Sequence, residues 1–226
     1  MLAGSATALA ELKLNEGTAT YSLNVMTYRD IPFRTVIRQQ YDYSCGSASL
    51  ATLLHYHYGR KDVDESNIFK AMWEAGDQAK IQMVGFSLLD MKNDLTREGY
   101  ESDGYRMSLD EIQKTANPTI AVITVGPYRH FVVIKGVENG VVLVGDPALG
   151  LKKYPRADFE KMWNGIVFMI HGGRATRGDF NVAAEWTPFN PSPIRPVVDS
   201  PTLTGVAEAP LTVFQVAQVV TVGVGP

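Results

Sequence analysis

Cysteine is almost absent from this chain: Cys45 is the only one in 226 residues. An intramolecular disulfide is thereby excluded, and so is a metal site built from several thiolates. A lone cysteine is either a small buried apolar residue or a reactive thiol, and the first is the ordinary case. Also missing is any apolar run of the roughly 18 to 20 residues that a membrane helix needs. The apolar stretch from Leu211 to Pro226 is too short and is interrupted by Thr, Gln and Gly. Positive charge is not in excess, with 21 Lys and Arg against 24 Asp and Glu, so a nucleic-acid surface is not expected. No Gly-x-x-x-x-Gly-Lys-Ser/Thr loop occurs, which excludes a P-loop ATP-hydrolysing module. No residue pattern asks for a metal or another cofactor, and none is expected.

What is present suits a soluble globular domain with a substantial core: 45% apolar and 20% charged residues. Residues 18–25 and 35–38 have the loose alternation of short strands. Residues 44–58 are expected to be a helix opened by small residues and stopped by Gly59. Further helices are expected over residues 64–75, over 86–98 with Ser87 as cap, and from the Ser108/Glu111 capping box to Thr115. The period then changes. Residues 118–125, 130–137, 140–145 and 164–170 have strand character, and Glu138, Asn139 and Gly140 form a strong hairpin signal. Helices first and strands later is the pattern of an α+β domain with an antiparallel sheet.

The ends have a different character. Ala8, Leu9 and Ala10 form the small-x-small pattern cut by a signal peptidase, so residues 1–10 are expected to be the remnant of a secretory leader and the protein to be periplasmic. Seven of the twelve prolines follow Thr187, so residues 174–226 are expected to be a proline-rich extension of a domain spanning 11–173. The apolar end of that extension is a candidate dimer contact.

A thiol attacks a carbonyl as thiolate. It needs a base, and a helix N-terminus helps because unpaired amides there favour negative charge. Cys45 stands directly before Gly46 at the start of the first helix. Of the four histidines, His55 and His57 lie too far along that same helix to turn back, and His171 follows the last strand. His130 opens a strand whose hairpin partner ends at Asp146. Counting from the turn puts residue 130 opposite 147–149, so Asp146 is within reach to hold the imidazole tautomer. A side-chain amide near the thiol would stabilise an oxyanion. Gln39 and Gln40, six and five positions before Cys45, are the candidates.

The stretch from Gln39 to Leu54 resembles the cysteine box of peptidase family C39, papain-like enzymes that cut leader peptides after a double glycine. His130 to Gly136 and Val144 to Gly150 are similar to that family's histidine and aspartate boxes. The resemblance covers about residues 30–171. It implies a papain-like α+β fold with N-terminal helices packed on an antiparallel sheet. It also implies a site of Cys45 as nucleophile, His130 as general base, Asp146 as its orienter and Gln39 in the oxyanion hole. Two departures stand out: there is no fused transporter, and Ser44 replaces an aspartate common in the family. These features look more like stand-alone exported members, among them those of functional amyloid secretion systems.

The expected function is therefore an endopeptidase that cuts after small residues, of Gly-Gly or Gly-Ala type, in the leader or linker of a secreted protein partner such as an amyloid subunit. Two alternatives remain open. One is a binding module of the same fold that recognises its partner without cutting. The other is acyl transfer, whose first half-reaction is the same. Gly172-Gly173 is read as a turn and not as a self-cleavage site.

Overall fold

A computed structural model describes residues 9–16 and 19–187, with side chains from Met26 onward. The N-terminal strands β1 (Leu9–Glu16) and β2 (Ala19–Met26) pair antiparallel in a hairpin of their own, so Leu9 and Ala10 of the expected leader open a strand. The main body joins helices α1 (Cys45–Thr52), α2 (Glu65–Ala75), α3 (Gln78–Val84), α4 (Leu88–Arg97), α5 (Leu109–Thr115), α6 (Arg156–Met162) and α7 (Ala183–Trp186) to a six-stranded sheet. Its strands are β3 (Tyr100–Arg106), β4 (Thr119–Val125), β5 (Tyr128–Glu138), β6 (Val141–Asp146), β7 (Gly150–Pro155) and β8 (Trp163–Gly173). The order is β3-β8-β4-β5-β6-β7, antiparallel throughout. No described helix is long and apolar enough to cross a membrane.

Most elements follow from local rules. Asp64, Ser87 and Ser108 each accept a backbone N–H from the third residue beyond, and the side chain there returns the bond. The turn between β5 and β6 has Asn139 and Gly140 at φ +50° and +73°, as a type I′ hairpin requires. The helix opened by Cys45 changes to a five-residue π-helical turn, Leu53–His57, and stops at Gly59.

Core packing accounts for the long apolar runs of β4 and β5. Ile120, Val133 and Phe168 face a cluster with Leu50, Leu53, Leu54 and Met91 from the first helices. Ala121, Ile123, Val132 and Ile134 face a second cluster with Leu109, Ile112 and Phe159. Both sheet faces are covered, so successive residues are apolar and the period-2 signal is lost. Leu50 is fully buried in the first cluster. Leu50→Ala is expected to lower the unfolding free energy by about 2–5 kcal/mol. Urea denaturation checks this, and a loss under about 1 kcal/mol would mean that the layer collapses to fill the gap.

Three expectations change. Residues 35–38 are not a strand: the Ile37 N–H goes to Thr52 Oγ1 at 2.9 Å and the Gln39 N–H to the Pro147 carbonyl at 3.0 Å, so the segment is spent on loop contacts. β1, β3, β7, α3, α6 and α7 were not foreseen. Residues 174–187, assigned to the extension, make specific contacts with the sheet and with the π-helical turn that follows α1, described below. The remainder of the expected extension, including the apolar segment proposed for dimerisation, lies outside the described residues, as do residues 1–8.

Candidate active site

Cys45 is the first residue of α1, where the backbone N–H groups have no intrahelical partner and the helix dipole favours negative charge. The approach to it is a tight loop. Ser44 is buried; its N–H and Oγ both donate to the Tyr41 carbonyl, at 3.1 and 3.0 Å, and its Oγ accepts from the Tyr41 N–H at 3.1 Å. Gly46 is needed for packing: an added Cβ would stand 3.0 Å from both Met91 Cε and Phe86 Cβ. The thiol lies in a largely buried position, 8% exposed.

His130, on β5, places Nε2 2.8 Å from Asp146 Oδ1 at the end of β6. The same Oδ1 accepts the N–H groups of Ala148 and Leu149 at 2.8 and 3.1 Å, which fixes the carboxylate. With Nε2 committed to Asp146, Nδ1 is the ring nitrogen left for the thiol. Burial alone would lower the His130 pKa. The Asp146 hydrogen bond and charge, together with a hydrogen bond and charge from Cys45, outweigh it and raise the value to about 9. Asp146 moves the opposite way: burial pushes it up, but His130 and the two backbone amides hold it below the usual carboxylate range. The three residues expected from the sequence to form the site are thus brought together.

A bulge decides how. Glu138 pairs with Val141 and Gly136 with Leu143, but beyond the bulge Ile134 pairs with Val144 and Val133 with Gly145. The extra residue is Lys135. Facing residues on neighbouring antiparallel strands share a side of the sheet. Without the bulge Asp146 would fall opposite Val133, on the side away from His130. With it, Asp146 falls opposite Val132 and shares the side of His130. Counting back from the turn correctly gave proximity but could not give this.

Gln39 and Gln40 part company. The Gln40 side chain is exposed and donates to Ser66 Oγ at 3.1 Å. Gln39 is anchored beside Asp146 through its backbone bond to Pro147. Its Nε2 gives one hydrogen to the Tyr41 carbonyl at 3.0 Å, and its Oε1 is buried with no hydrogen-bond partner among the described residues. One amide hydrogen is therefore left to offer. His171 bonds Asp103 at the surface, whereas His57 is enclosed. Sequence reasoning also missed Glu65, a buried carboxylate that receives Ser47 Oγ at 3.3 Å. Burial raises its pKa, opposed by hydrogen bonds from Ser44, Ser47 and the Gln40 backbone. It thus ties α2 to both sides of the nucleophile loop. A serine-rich helix start was the only signal for it.

The Peptidase C39 family model matches residues 34–174, which contain every one of these site residues. The chain belongs to that family. This C39 chain is 37% identical over 155 residues to a probable functional amyloid protease, FapD, of Pseudomonas aeruginosa, an overlap of 69% of this chain and 68% of that one. It is 38% identical over 156 residues to the corresponding protein of Pseudomonas fluorescens, covering 69% of each. Among solved structures, the peptidase domain of Streptococcus ComA matches with a TM-score of 0.51 at 18% identity, over 60% of this chain and 96% of that domain, and so shares its papain-like fold. This C39 chain is a cysteine peptidase.

Proposed function

We propose that this peptidase cuts a secreted protein after a small residue, of Gly-Gly or Gly-Ala type, in the course of functional amyloid biogenesis, with Cys45, His130 and Asp146 as its catalytic unit. The Nε2–Asp146 bond at 2.8 Å, beside a cysteine at a helix N-terminus, carries the reading. The likeness to the two FapD proteins supports the amyloid setting, and the Ala8-Leu9-Ala10 pattern supports a periplasmic one.

The chemistry refines the role expected for His130. An imidazole with a pKa of about 9 holds a proton at neutral pH. Cys45 reacts as the thiolate, beside His130 in its charged form. Cys45 Sγ adds to the scissile carbonyl. The oxygen takes the negative charge and is held by the Cys45 backbone N–H and the remaining Gln39 Nε2–H. The C–N bond breaks as His130 Nδ1–H protonates the leaving amine, giving a thioester and a neutral imidazole. Only then is His130 a base: it takes a proton from water, hydroxide adds to the thioester, and the thiolate leaves. Asp146 accepts Nε2–H throughout and stabilises each imidazolium.

Incubation with a peptide library of known sequences, read by mass spectrometry, tests the proposal. Cuts are expected after Gly or Ala, and Leu or Phe at that position is expected to lower kcat/KM by about 10²-fold or more. Cutting without preference for small residues would overturn the specificity. Binding of peptides with no cutting would favour the non-cleaving module.

A further inference from the structure

Lys135 is fully buried within the sheet. An ammonium ion there is costly unless every donor is matched. All three are matched: Nζ contacts Glu185 Oε1 at 2.5 Å, and the Thr35 carbonyl and Thr35 Oγ1 at 2.5 and 3.0 Å. Glu185 is itself buried and belongs to α7, in the segment first assigned to the extension. Other groups that face the pair are Arg34, whose Nη2 donates to the Glu185 carbonyl, the Tyr56 ring and the neutral, buried His57.

The same segment grips the bulge at several points. The Asn181 N–H donates to the carbonyl of Lys135 itself at 2.9 Å, and Asn181 Nδ2 to the Val137 carbonyl at 3.2 Å. Trp186 and Asn181 press on Gly136, where an added Cβ would lie 2.9 Å from the indole and 2.2 Å from Asn181 Oδ1. Asp179 bonds back to His57 of the first helix through its N–H and its carbonyl. A buried ion pair adds little net stability compared with apolar residues of the same volume; its best-attested use is to fix register. Here it sits at the one residue where the register between β5 and β6 shifts.

We propose that Lys135 is a positioning residue: its ion pair with Glu185 pins the β5 bulge that brings His130 and Asp146 to the same side of the sheet. This rests on the reading of His130 and Asp146 as partners of Cys45. The C-terminal segment from Asp179 to Trp186 is accordingly part of the working enzyme.

The test is the full chain carrying Lys135→Met together with Glu185→Leu, which removes both charges and keeps the volume. Three quantities are read: melting temperature, kcat and KM on a cleaved peptide, and the NMR titration of the His130 ring. The expected result is a fall in kcat of tenfold or more with KM little changed, and a His130 midpoint that drops from about 9 toward the ordinary value of about 6.5. Ile68→Val, a buried change on α2 and not on the sheet, controls for lost stability and is expected to move neither kcat nor the midpoint. An unmoved midpoint in the double variant overturns the proposal, whatever happens to activity or melting. If the double variant does not fold, Glu185→Gln, which keeps the shape and removes the carboxylate charge, is read by the same criteria. Should the wild type cut no peptide, the peptidase reading fails, and the imidazole titration still decides the positioning claim alone.

Discussion

Cys45→Ala is expected to abolish peptide cleavage, and His130→Ala is expected to lower kcat by about 10⁶, as losses of single members of such units do. Both follow from the same geometry. Alanine leaves nothing to form the thioester, and loss of the imidazole leaves the thiolate without its charged partner and the amine without a proton donor. The two effects should not add: with either group gone the other has no role, so the double variant should be no slower than the worse single one. Neither change should unfold the protein. Cys45 is small and lies at the margin of the core, and His130 is partly exposed. Circular dichroism of the variants, next to single-turnover peptide cleavage, separates the two effects. Cleavage by Cys45→Ala at more than a trace would assign the chemistry to another residue.

Asp146→Ala is expected to cost about 10⁴ in kcat, and Asp146→Asn less, because an amide oxygen still accepts Nε2–H and keeps the tautomer but lacks the charge. The charge shows in the pH dependence. The His130 pKa is raised in the folded state. Its contribution to stability is therefore complete below the unfolded value of about 6.5 and is lost as pH rises through about 9. Asp146 has the opposite sign: its pKa is lowered, so its contribution is present above the usual carboxylate value and lost as pH falls through the folded one. Wild type should lose stability between about pH 6.5 and 9 more steeply than Asp146→Ala. Parallel urea curves for the two proteins across that window would mean that the pair does not form in solution.

Much of the site was legible because its members sit at positions marked by local chemistry. Small residues before a long apolar face gave the start of α1 and hence Cys45. Asn139 and Gly140 gave the hairpin that brings His130 and Asp146 near each other. The cap at Ser87 and the capping box at Ser108 gave two helix starts. What stayed hidden depends on contacts between residues far apart in sequence. The bulge at Lys135 is held by Thr35, Asn181 and Glu185, which lie 100 residues before it and 46 and 50 after it. A lysine inside an apolar run gives no sign of whether it points to water or to a buried carboxylate. Strand β3, with Glu101, Asp103 and Arg106, is too polar for an apolar alternation to mark it, and it takes its order from pairing with β8. Residues 35–38 show the reverse error. Their β-branched side chains suit a strand, but the Ile37 N–H is taken up by Thr52 and the Thr35 carbonyl by Lys135.

The two outer strands of the six-stranded sheet bear on a role in amyloid biogenesis. An unpaired strand margin is a template on which another extended chain can add. Here one margin, β7, shows Lys152 and Lys153 to solvent and closes on Pro155; the other, β3, presents Glu101, Asp103 and Arg106 and shifts register between Glu101 and Ser102. Charge, proline and irregular pairing all discourage strand addition. A peptidase with a role in amyloid biogenesis is protected along these two strands from being drawn into a sheet of other chains.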